Sequence, residues 1–352
     1  MSESAVNPVG EPGQLSKSAT PVGGSAAPRQ RQAFRPSEPF RPAPGLISGH
    51  AQTIFAALIR SGKAPPLVRE RWDTPDGDFL DIDFLPAPSN APHLLVLHGL
   101  EGSTRASYVT EVLRGAQRRG WGAAALNFRC CSGEENRLPR FYHSGEINDA
   151  LLVAERVRQR ISGPLFGIGF SLGGNVLLVL LARRGSSAPF DGAAAISTPY
   201  DLNACAHQLD GGKGIYRLYR WWFLRTLRRK ALRKLRSHPG IFDPKRVRAA
   251  GGIEAFDDAV TAPLHGFRDA ADYYRQCSSG PLLSRICCPT LLISAKDDPL
   301  AGAPIPSEAK NNPFLVALET EHGGHVGFLS GSIRRPRFWA ERQALDFFAH
   351  LS

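Results

Sequence analysis

The feature that most constrains the fold is a regular alternation of short apolar runs with helical segments, which begins near residue 93. Apolar runs of strand length recur as HLLVLHG, GAAALNF, PLFGIGF, GAAAIS, TLLISA and FLVALET, and helical segments separate the first four. Strands that are apolar throughout and alternate with helices are typical of a buried, mostly parallel sheet. The sequence therefore predicts an α/β fold with helices on both faces of the sheet.

The chain before this alternation has a different character. Residues 50–60 predict a short helix, and the runs LVRERW and FLDIDFL predict two strands joined by a turn at Asp76-Gly77. In the second run Asp81 and Asp83 alternate with apolar residues, which predicts a strand with one face exposed to solvent.

Two further segments depart from the alternating pattern. Residues 1–40 are rich in Pro, Gly, Ser and Ala, a composition that buries too little apolar surface to offset the entropy of ordering. We expect a disordered tail there and one domain over residues 41–352. Within this domain, residues of about 203–288 are helical and contain no strand-like run, which predicts a cap inserted over the active site.

The cysteine content and the hydropathy limit the classes of protein to which this chain can belong. The six cysteines have no CxxC spacing, so we expect free thiols in a reducing compartment and no structural zinc. We see no secretory leader and no apolar run long enough to span a membrane. These observations predict a cytoplasmic protein, with binding to the inner face of a membrane left open.

The pentapeptide Gly169-Phe170-Ser171-Leu172-Gly173 matches the G-x-S-x-G pattern of a nucleophile elbow. The apolar run PLFGIG precedes it and the helical segment GNVLLVLLA follows it, which is the strand–turn–helix context that the elbow requires. Small residues two positions on either side of the nucleophile avoid clashes in the tight turn. Ser171 is therefore the candidate nucleophile.

A serine hydroxyl is a weak nucleophile until a base removes its proton. The acid and then the histidine are expected after the serine, at the ends of later strands. The segments TLLISAKDDP and FLVALETEHGGHVGF supply both residue types in this order. We choose Asp298 over Asp297 because it directly precedes Pro299, and His325 over His322 because it lies within the glycine-rich loop.

Acyl chemistry also needs two preorganised N–H donors for the oxyanion. The backbone N–H of Leu172 directly follows the nucleophile, and the loop after HLLVLHG offers the N–H of Leu100. His98, in that same loop, is interpreted as a structural residue that positions the loop.

These motifs resemble those of the YheT-like branch of the α/β-hydrolases, from about residue 50 to the C terminus. The segments that carry the resemblance are HAQTI, HGLEGSTRASY, NFRCCSGEENRLPRFYHSGEINDA, GFSLGGN, FDDAVTAPLHGFRDAADYY, KDDP and EHGGHVGF. The resemblance implies an α/β-hydrolase fold with carboxylesterase activity, with Ser171, Asp298 and His325 as its triad. It also implies relatives that act as lipases on monoacylglycerols or phospholipids.

One position departs from the family pattern. Cys130 stands where the family has glycine, in Arg129-Cys130-Cys131-Ser132, so a positive φ at this position becomes costly. Other family positions allow several roles. For Asp257 and Asp258 the alternatives are ion pairs with basic residues of the inserted segment or an N-terminal helix cap. For Tyr273 and Tyr274 they are the lining of an acyl pocket or packing of the inserted segment against the core.

Residues 215–236, IYRLYRWWFLRTLRRKALRKLR, hold nine Lys or Arg and no acid, in a chain of net charge +11. Helical spacing places Tyr216, Tyr219, Phe223, Leu227, Ala231 and Leu235 on one side, and Arg217, Arg220, Arg228 and Lys234 on the other. Two interpretations remain open: peripheral contact with an anionic membrane, for which Trp221 and Trp222 suit the interface, or a cap helix whose aromatic stripe covers the active site and whose arginines face water. Nucleic-acid binding is not expected because no recognised module accompanies the charge.

The sequence therefore predicts a serine hydrolase that cleaves carboxylic esters, either short- to medium-chain esters or lipids of the acylglycerol or phospholipid type. The expected mechanism needs no metal and no organic cofactor. Acyl transfer and thioester hydrolysis use the same three residues and remain alternatives. A protein of another class, which binds anionic membranes without turnover, is a further alternative.

Overall fold

The computed structural model describes residues 34–60, 62–332 and 334–352. The predicted tail lies outside these residues as far as residue 33. Residues 34–40 belong with the domain, because the ring centroid of Phe34 lies 5.2 Å from that of Phe347, and that of Phe40 lies 5.6 Å from that of Trp339. These aromatic contacts therefore place residues 34–40 with the domain.

One eight-stranded sheet organises the domain, in the order β1-β2-β4-β3-β5-β6-β7-β8. The strands are β1 (Val68–Asp73), β2 (Phe79–Leu85), β3 (His93–Leu97), β4 (Gly122–Asn127), β5 (Leu165–Phe170), β6 (Gly192–Ile196), β7 (Thr290–Ala295) and β8 (Leu315–Thr320). Strands β3 to β8 pair in parallel, and β2 is antiparallel to both β1 and β4. The predicted mostly parallel sheet is confirmed.

Eleven helices are present in the described part of the chain. They are α1 (Gly49–Ile59), α2 (Ser107–Arg118), α3 (Asn148–Arg160), α4 (Leu172–Arg184), α5 (Leu202–Gly211), α6 (Ile215–Ser237), α7 (Pro244–Ala249), α8 (Ile253–Phe256), α9 (Ala262–His265), α10 (Ala270–Cys277) and α11 (Trp339–Leu351). Helices α3 and α4 pack in one hydrophobic cluster with the sheet, and α2 and α11 pack in a second. The sheet therefore lies between two helix layers, as predicted.

The segment between β6 and β7 contains α5 to α10 and a π-helical turn over Asp257–Thr261. Residues 203–288 of this segment, here called the cap segment, contain no strand. The buried cap side chains form a hydrophobic cluster of their own, which includes Leu224, Phe256 and Tyr274. None of the helices in the described ranges is both long and apolar enough to cross a membrane.

A short antiparallel hairpin, not predicted from the sequence, follows the last sheet strand. It consists of β9 (Leu329–Ser332) and β10 (Arg335–Phe338). The N–H of Ala43 donates to the carbonyl of Leu329 at 2.9 Å, so the hairpin ties the N-terminal part of the domain to the region before α11.

The expectation of an exposed face on β2 is wrong. Asp81 and Asp83 are both buried, and each carboxylate pairs with an arginine of the neighbouring strand β1. Arg71 Nε lies 2.8 Å from Asp81 Oδ1, and Arg69 Nε lies 2.7 Å from Asp83 Oδ1. A paired and hydrogen-bonded carboxylate is tolerated where an isolated one is not, so alternation of polar and apolar residues does not identify a solvent face here.

The predicted orientation of α6 is also wrong in part. Tyr219, Phe223, Leu227, Ala231 and Leu235 do pack against the cap cluster, as the helical spacing predicts. On the side predicted to face water, however, Lys234 is fully buried, with its Nζ 2.6 Å from the carbonyl oxygen of Asn136.

Two arginines of the same predicted face bind main-chain carbonyls instead of water. Arg220 donates to the carbonyls of Leu209 and Asp210 at the C-terminal end of α5, and Arg228 donates to the carbonyl of Ala250. Helix C-termini leave carbonyl groups unpaired, and these basic side chains satisfy them. Helical spacing identified the apolar stripe correctly, but Arg220 and Lys234 are each seven residues from Leu227 and therefore share its inward face, so they do not lie opposite the stripe.

A buried charge network fixes the loop after β4. Arg129 donates to both carboxylate oxygens of Asp149 at 2.8 and 2.7 Å, and it pairs with Asp78 at 3.1 Å and Asp76 at 3.0 Å. Arg129, Asp78 and Asp149 are all buried, so each charge depends on its partners for compensation. The network joins the β1–β2 turn, the β4 loop and α3.

We predict that Arg129→Ala lowers the free energy of unfolding by about 3–5 kcal/mol, because it leaves buried carboxylates without a partner. Chemical denaturation monitored by circular dichroism measures the change. Arg137→Ala is the matched control, since its pair with Asp73 at 2.9 Å is largely exposed and should cost less than about 1 kcal/mol. Equal losses in the two variants would contradict this account of the network.

Candidate active site

Ser171 lies at the sharp turn between β5 and α4 with φ 52° and ψ −121°, a backbone conformation that is strained for a residue with a Cβ. The turn leaves no room beside it. A Cβ on Gly169 would lie 2.4 Å from the carbonyl oxygen of Gly173, and a Cβ on Gly173 would lie 2.4 Å from that of Leu97. The glycines of the pentapeptide therefore permit the turn, and the turn places the Ser171 hydroxyl at the N-terminus of a buried helix.

The structure brings the three predicted residues together. Ser171 Oγ lies 2.9 Å from His325 Nε2, and His325 Nδ1 lies 3.0 Å from both carboxylate oxygens of Asp298. The Asp298 side chain is buried, and its Oδ1 also accepts hydrogen bonds from the N–H groups of Leu300 and Ala301. The geometry suits a proton transfer from Ser171 to an imidazole held by a fixed carboxylate.

The residues that were set aside lie apart from this chain of hydrogen bonds. Asp297 accepts from the N–H of Gly324 at 2.9 Å and pairs with the half-exposed His322 at 3.2 Å. His98 is buried, and burial lowers the pKa of its imidazole to about 4. Its Nε2 accepts from the N–H of Phe128 and its Nδ1 lies 2.8 Å from the carbonyl oxygen of Gly99. Neutral His98 thus braces the loop before Leu100.

The motif HAQTI holds the loop that carries His325. Thr53 Oγ1 accepts a hydrogen bond from the N–H of His325 at 2.9 Å. The Gln52 side chain donates to the carbonyls of Leu46 and Leu329 and accepts from the N–H of Leu329 at 2.7 Å. These contacts allow helix α1 to position His325, although the two are far apart in the sequence. No local pattern in the sequence indicated this role for the motif.

The two predicted oxyanion donors are adjacent to Ser171. Leu100 and Leu172 line the same cavity as Ser171, and in the described part of the chain neither backbone N–H donates to a protein acceptor. The residues on either side of Leu100 are fixed by tyrosines: the N–H of Gly99 donates to Tyr108 Oη at 2.9 Å, and that of Glu101 donates to Tyr142 Oη at 2.7 Å. The Leu100 N–H is thus held in place and left free for a ligand.

A cavity of about 120 Å³ lies between these groups and the cap segment. Its wall is mostly apolar; Leu202 contributes at the start of α5, and the cap contributes Leu209, Leu227, Ile253, Phe256 and Val260. Such a wall suits an acyl chain or another apolar group.

Two charged residues in the cavity wall connect the cap to the loop of Leu100. Lys230 Nζ, on α6, lies 2.6 Å from Glu101 Oε1, and Glu101 also accepts from Tyr142 Oη at 3.0 Å. Burial by itself lowers the pKa of Lys230, and the neighbouring Cys131 and Glu101 raise it by more, so the ammonium stays charged. Sequence reasoning missed this pair, because its members are 129 residues apart in the chain.

Asp257 and the two family tyrosines lie in the same cavity wall. The Asp257 carboxylate accepts hydrogen bonds from Thr261 Oγ1 at 2.6 Å and Tyr274 Oη at 2.7 Å, and burial raises its pKa to about 6. Tyr273 Oη accepts from the N–H of Ser144 at 2.9 Å. Tyr273 therefore both lines the cavity and anchors the cap to the core, whereas Tyr274 lines the cavity and is bound to Asp257 within the cap.

Asn175 explains the last residue of the motif GFSLGGN. Its side-chain amide donates to the carbonyls of Ser144 at 2.9 Å and Cys277 at 2.7 Å, and its oxygen accepts from the N–H of Ser279 at 3.0 Å. One turn after Ser171, this buried side chain joins α4 to the Ser144 loop and to the end of the cap segment.

Cys130 has φ 62°, the positive value that the family glycine adopts without cost. Its N–H donates to Asn136 Oδ1 at 2.6 Å, and its side chain is buried in the cap cluster. The loop therefore keeps a left-handed residue in spite of the substitution, and a buried thiol fills the space beside it.

The strand order, the strained serine at the β5–α4 turn and the Ser–His–Asp arrangement are those of an α/β-hydrolase. The model of the alpha/beta hydrolase family matches residues 94–342. The Pyrococcus furiosus esterase Pf2001 is a solved structure with the same fold, at a TM-score of 0.51 and 15% identity, over 91% of this chain and 98% of that one.

Curated relatives are closer in sequence. The Escherichia coli (strain K12) protein named "Putative esterase YheT" is 40% identical over 89% of this chain and 94% of its own length. The Homo sapiens protein named "Phospholipase ABHD3" is 29% identical over 88% of this chain and 78% of its own length. The chain belongs to the α/β-hydrolase family. Within that family it lies in the YheT-like branch, which confirms the resemblance seen in the sequence.

We predict that Lys230→Met lowers the free energy of unfolding by about 3 kcal/mol, because the buried Glu101 carboxylate loses its counter-charge. Adding Glu101→Gln removes that charge and should recover about half of the loss. Urea denaturation of the two single variants and the double variant measures the coupling. Additive losses would show that the pair does not interact as described.

We predict an inverted stability order at position 130. In an ordinary position alanine is more stable than glycine by about 0.4–1 kcal/mol, but at a positive φ glycine is favoured. Cys130→Gly should therefore unfold at a higher temperature than Cys130→Ala, as measured by differential scanning calorimetry. Ala150 provides the reference, because it lies within α3, where Ala150→Gly should lower the melting temperature.

Proposed function

We propose that this protein is a serine hydrolase that cleaves carboxylic esters through an acyl-enzyme on Ser171. The observation that carries the proposal is the chain of hydrogen bonds from Ser171 Oγ to His325 Nε2 and from His325 Nδ1 to Asp298. In this assignment Ser171 is the nucleophile, His325 is the general base, and Asp298 orients the imidazole and stabilises its charged form.

The first half-reaction forms the acyl-enzyme. As Ser171 Oγ attacks the ester carbonyl carbon, its proton passes to His325 Nε2, and a tetrahedral oxyanion develops. The N–H groups of Leu100 and Leu172 donate to that oxyanion, since neither has an acceptor among the residues that the structure describes. His325 then gives its proton to the alkoxide oxygen as the C–O bond breaks, and the alcohol leaves.

The second half-reaction repeats these roles with water. His325 takes a proton from the attacking water, the same N–H groups hold the second oxyanion, and the proton returns to Ser171 Oγ as the carboxylic acid leaves. All of the groups in this scheme belong to the chain, apart from the ester and the water.

The proposed substrate is a small ester or a lipid of the acylglycerol or phospholipid type. The apolar cap side chains around the cavity support an acyl group as the part of the substrate that they contact. The names of the relatives, an esterase and a phospholipase, are consistent with this class. Hydrolysis is preferred to acyl transfer and thioester cleavage because no separate observation favours either of them, and the complete hydrogen-bonded arrangement argues against a protein that only binds.

We predict that Ser171→Ala abolishes hydrolysis of p-nitrophenyl esters and labelling by a fluorophosphonate probe. Asp298→Asn should reduce kcat by on the order of 10⁴, because it stabilises the wrong imidazole tautomer. Steady-state rates with esters of different acyl chain lengths measure the loss of hydrolysis in both variants. The dependence of the rate on chain length also reports the size of the acyl pocket.

Asp297→Asn and His322→Ala are the matched controls for this experiment. Both residues are next to the proposed acid and base in sequence, but they pair with each other outside the chain of hydrogen bonds. Each control should keep its rate within about threefold of the unmodified protein. A folded protein without turnover and without probe labelling would refute the proposal.

A further inference from the structure

Helix α6 presents an outward face that no part of the described chain covers. Leu218, Trp221 and Trp222 are 57%, 55% and 48% exposed, which is unusual for side chains of this size. Arg225, Arg229, Arg233 and Arg236 follow them, also exposed, at spacings of three and four residues. One face of the 23-residue helix thus carries an apolar patch at its N-terminal half and a row of guanidinium groups at its C-terminal half.

This outward face carries Trp221 and Trp222, which the sequence indicated for an interface, and it is distinct from the apolar stripe of α6. That stripe packs against the cap cluster, so it is unavailable for any partner. The exposed tryptophans lie on the opposite side, next to the arginines. The outer surface of α6 therefore changes from apolar at its N-terminal half to basic at its C-terminal half.

The charge on this face is largely uncompensated. Helix α6 contains no acid, and in the described ranges Arg217, Arg225, Arg229 and Arg236 form no ion pair with a carboxylate. Arg233 lies 3.5 Å from Glu135. A groove beside the helix is lined by Trp221, Leu224, Leu232, Gly251 and seven arginines of α6, of which Arg220 and Arg228 are already bound to main-chain carbonyls. Guanidinium groups bind phosphate oxygens in a bidentate manner, so this groove is complementary to phosphate groups.

We propose that the outer face of α6 docks this protein on the surface of an anionic phospholipid bilayer. Trp221, Trp222 and Leu218 insert at the level of the headgroups, where tryptophan is favoured, and the arginines bind lipid phosphates. Charge complementarity selects an anionic surface, and the exposed apolar patch distinguishes a bilayer from a nucleic acid, whose backbone offers no apolar layer.

The inner face of the same helix faces the candidate active site. Leu227 and Lys230 line the cavity beside Ser171, whereas Trp222 and Arg229 face outward. Docking of α6 would therefore bring the cavity close to esters that reside in the bilayer. This consequence for substrate choice rests on the proposed function, but the docking itself does not.

Co-sedimentation with vesicles tests the proposal on the full-length protein. The probes are vesicles of phosphatidylcholine with and without phosphatidylglycerol. Both the unmodified protein and the Ser171→Ala variant are tested, because binding needs no turnover. Each arginine near an anionic surface contributes about a fivefold effect, so Arg225→Gln with Arg229→Gln should weaken partitioning on the order of 30-fold. Trp221→Ser with Trp222→Ser should weaken it at least tenfold, by the loss of inserted apolar surface.

Matched variants elsewhere on the surface distinguish docking through α6 from an effect of the protein's net charge or of nonspecific hydrophobic adsorption. Arg285→Gln with Arg335→Gln makes the same change in net charge at exposed positions outside α6, and Val68→Ser removes an exposed apolar side chain from β1. Both controls should bind vesicles as the unmodified protein does. Circular dichroism checks that each variant is folded.

The outcomes are distinct. Binding to anionic vesicles that both α6 variants lose and both controls keep supports the proposal. No binding, equal binding to neutral vesicles, or equal losses in the controls overturns it. A loss in the arginine variant alone, with the tryptophan variant unaffected, also overturns it and identifies a purely electrostatic surface, such as one for nucleic acid. If vesicles bind but Ser171→Ala retains esterase activity, the proposed function fails while the docking surface stands.

Discussion

The hydrogen bond between Ser171 and His325 joins side chains that are 154 residues apart in the chain, and the surrounding structure holds both of its ends. At the serine end, a strained backbone is fixed between a buried strand and a buried helix, so the hydroxyl has one position. At the histidine end, Asp298 orients the ring and Thr53 holds the backbone of the loop. A displacement of either end by an ångström would lengthen this contact beyond hydrogen-bonding distance.

Several motifs that lack reactive groups can be understood as supports for this contact. Gln52 and Thr53 act on the His325 loop, Asn175 joins helix α4 to the end of the cap segment, and Tyr108 and Tyr142 fix the loop of Leu100. Each is a buried or half-buried polar side chain that satisfies main-chain groups of another segment, which is how a loop is held without covalent links. Fixed loops of this kind are a condition for preorganised donors at an oxyanion.

Much of the fold could be predicted because it depends on local patterns. The apolar runs around Ile168 and Leu292 and the G-x-S-x-G turn are local signals, and the sheet and the elbow followed from them. The burial of Asp81 and Lys234 depends on partners from other strands and loops, and no local pattern reports those partners. The same holds for the pair of Lys230 and Glu101. Helical spacing also identified the packed stripe of α6, but it did not distinguish arginines that bind carbonyls from arginines that face outward.

Cys130 shows what determines the shape of a loop in this family. Its own backbone preference opposes a φ of 62°, yet Asn136 binds its N–H and the neighbouring Arg129 is held by three carboxylates. The conformation is thus imposed by its surroundings and not by the residue that adopts it. A small side chain other than glycine is therefore compatible with this loop conformation, so the departure from the family pattern at position 130 does not by itself alter the form of the site.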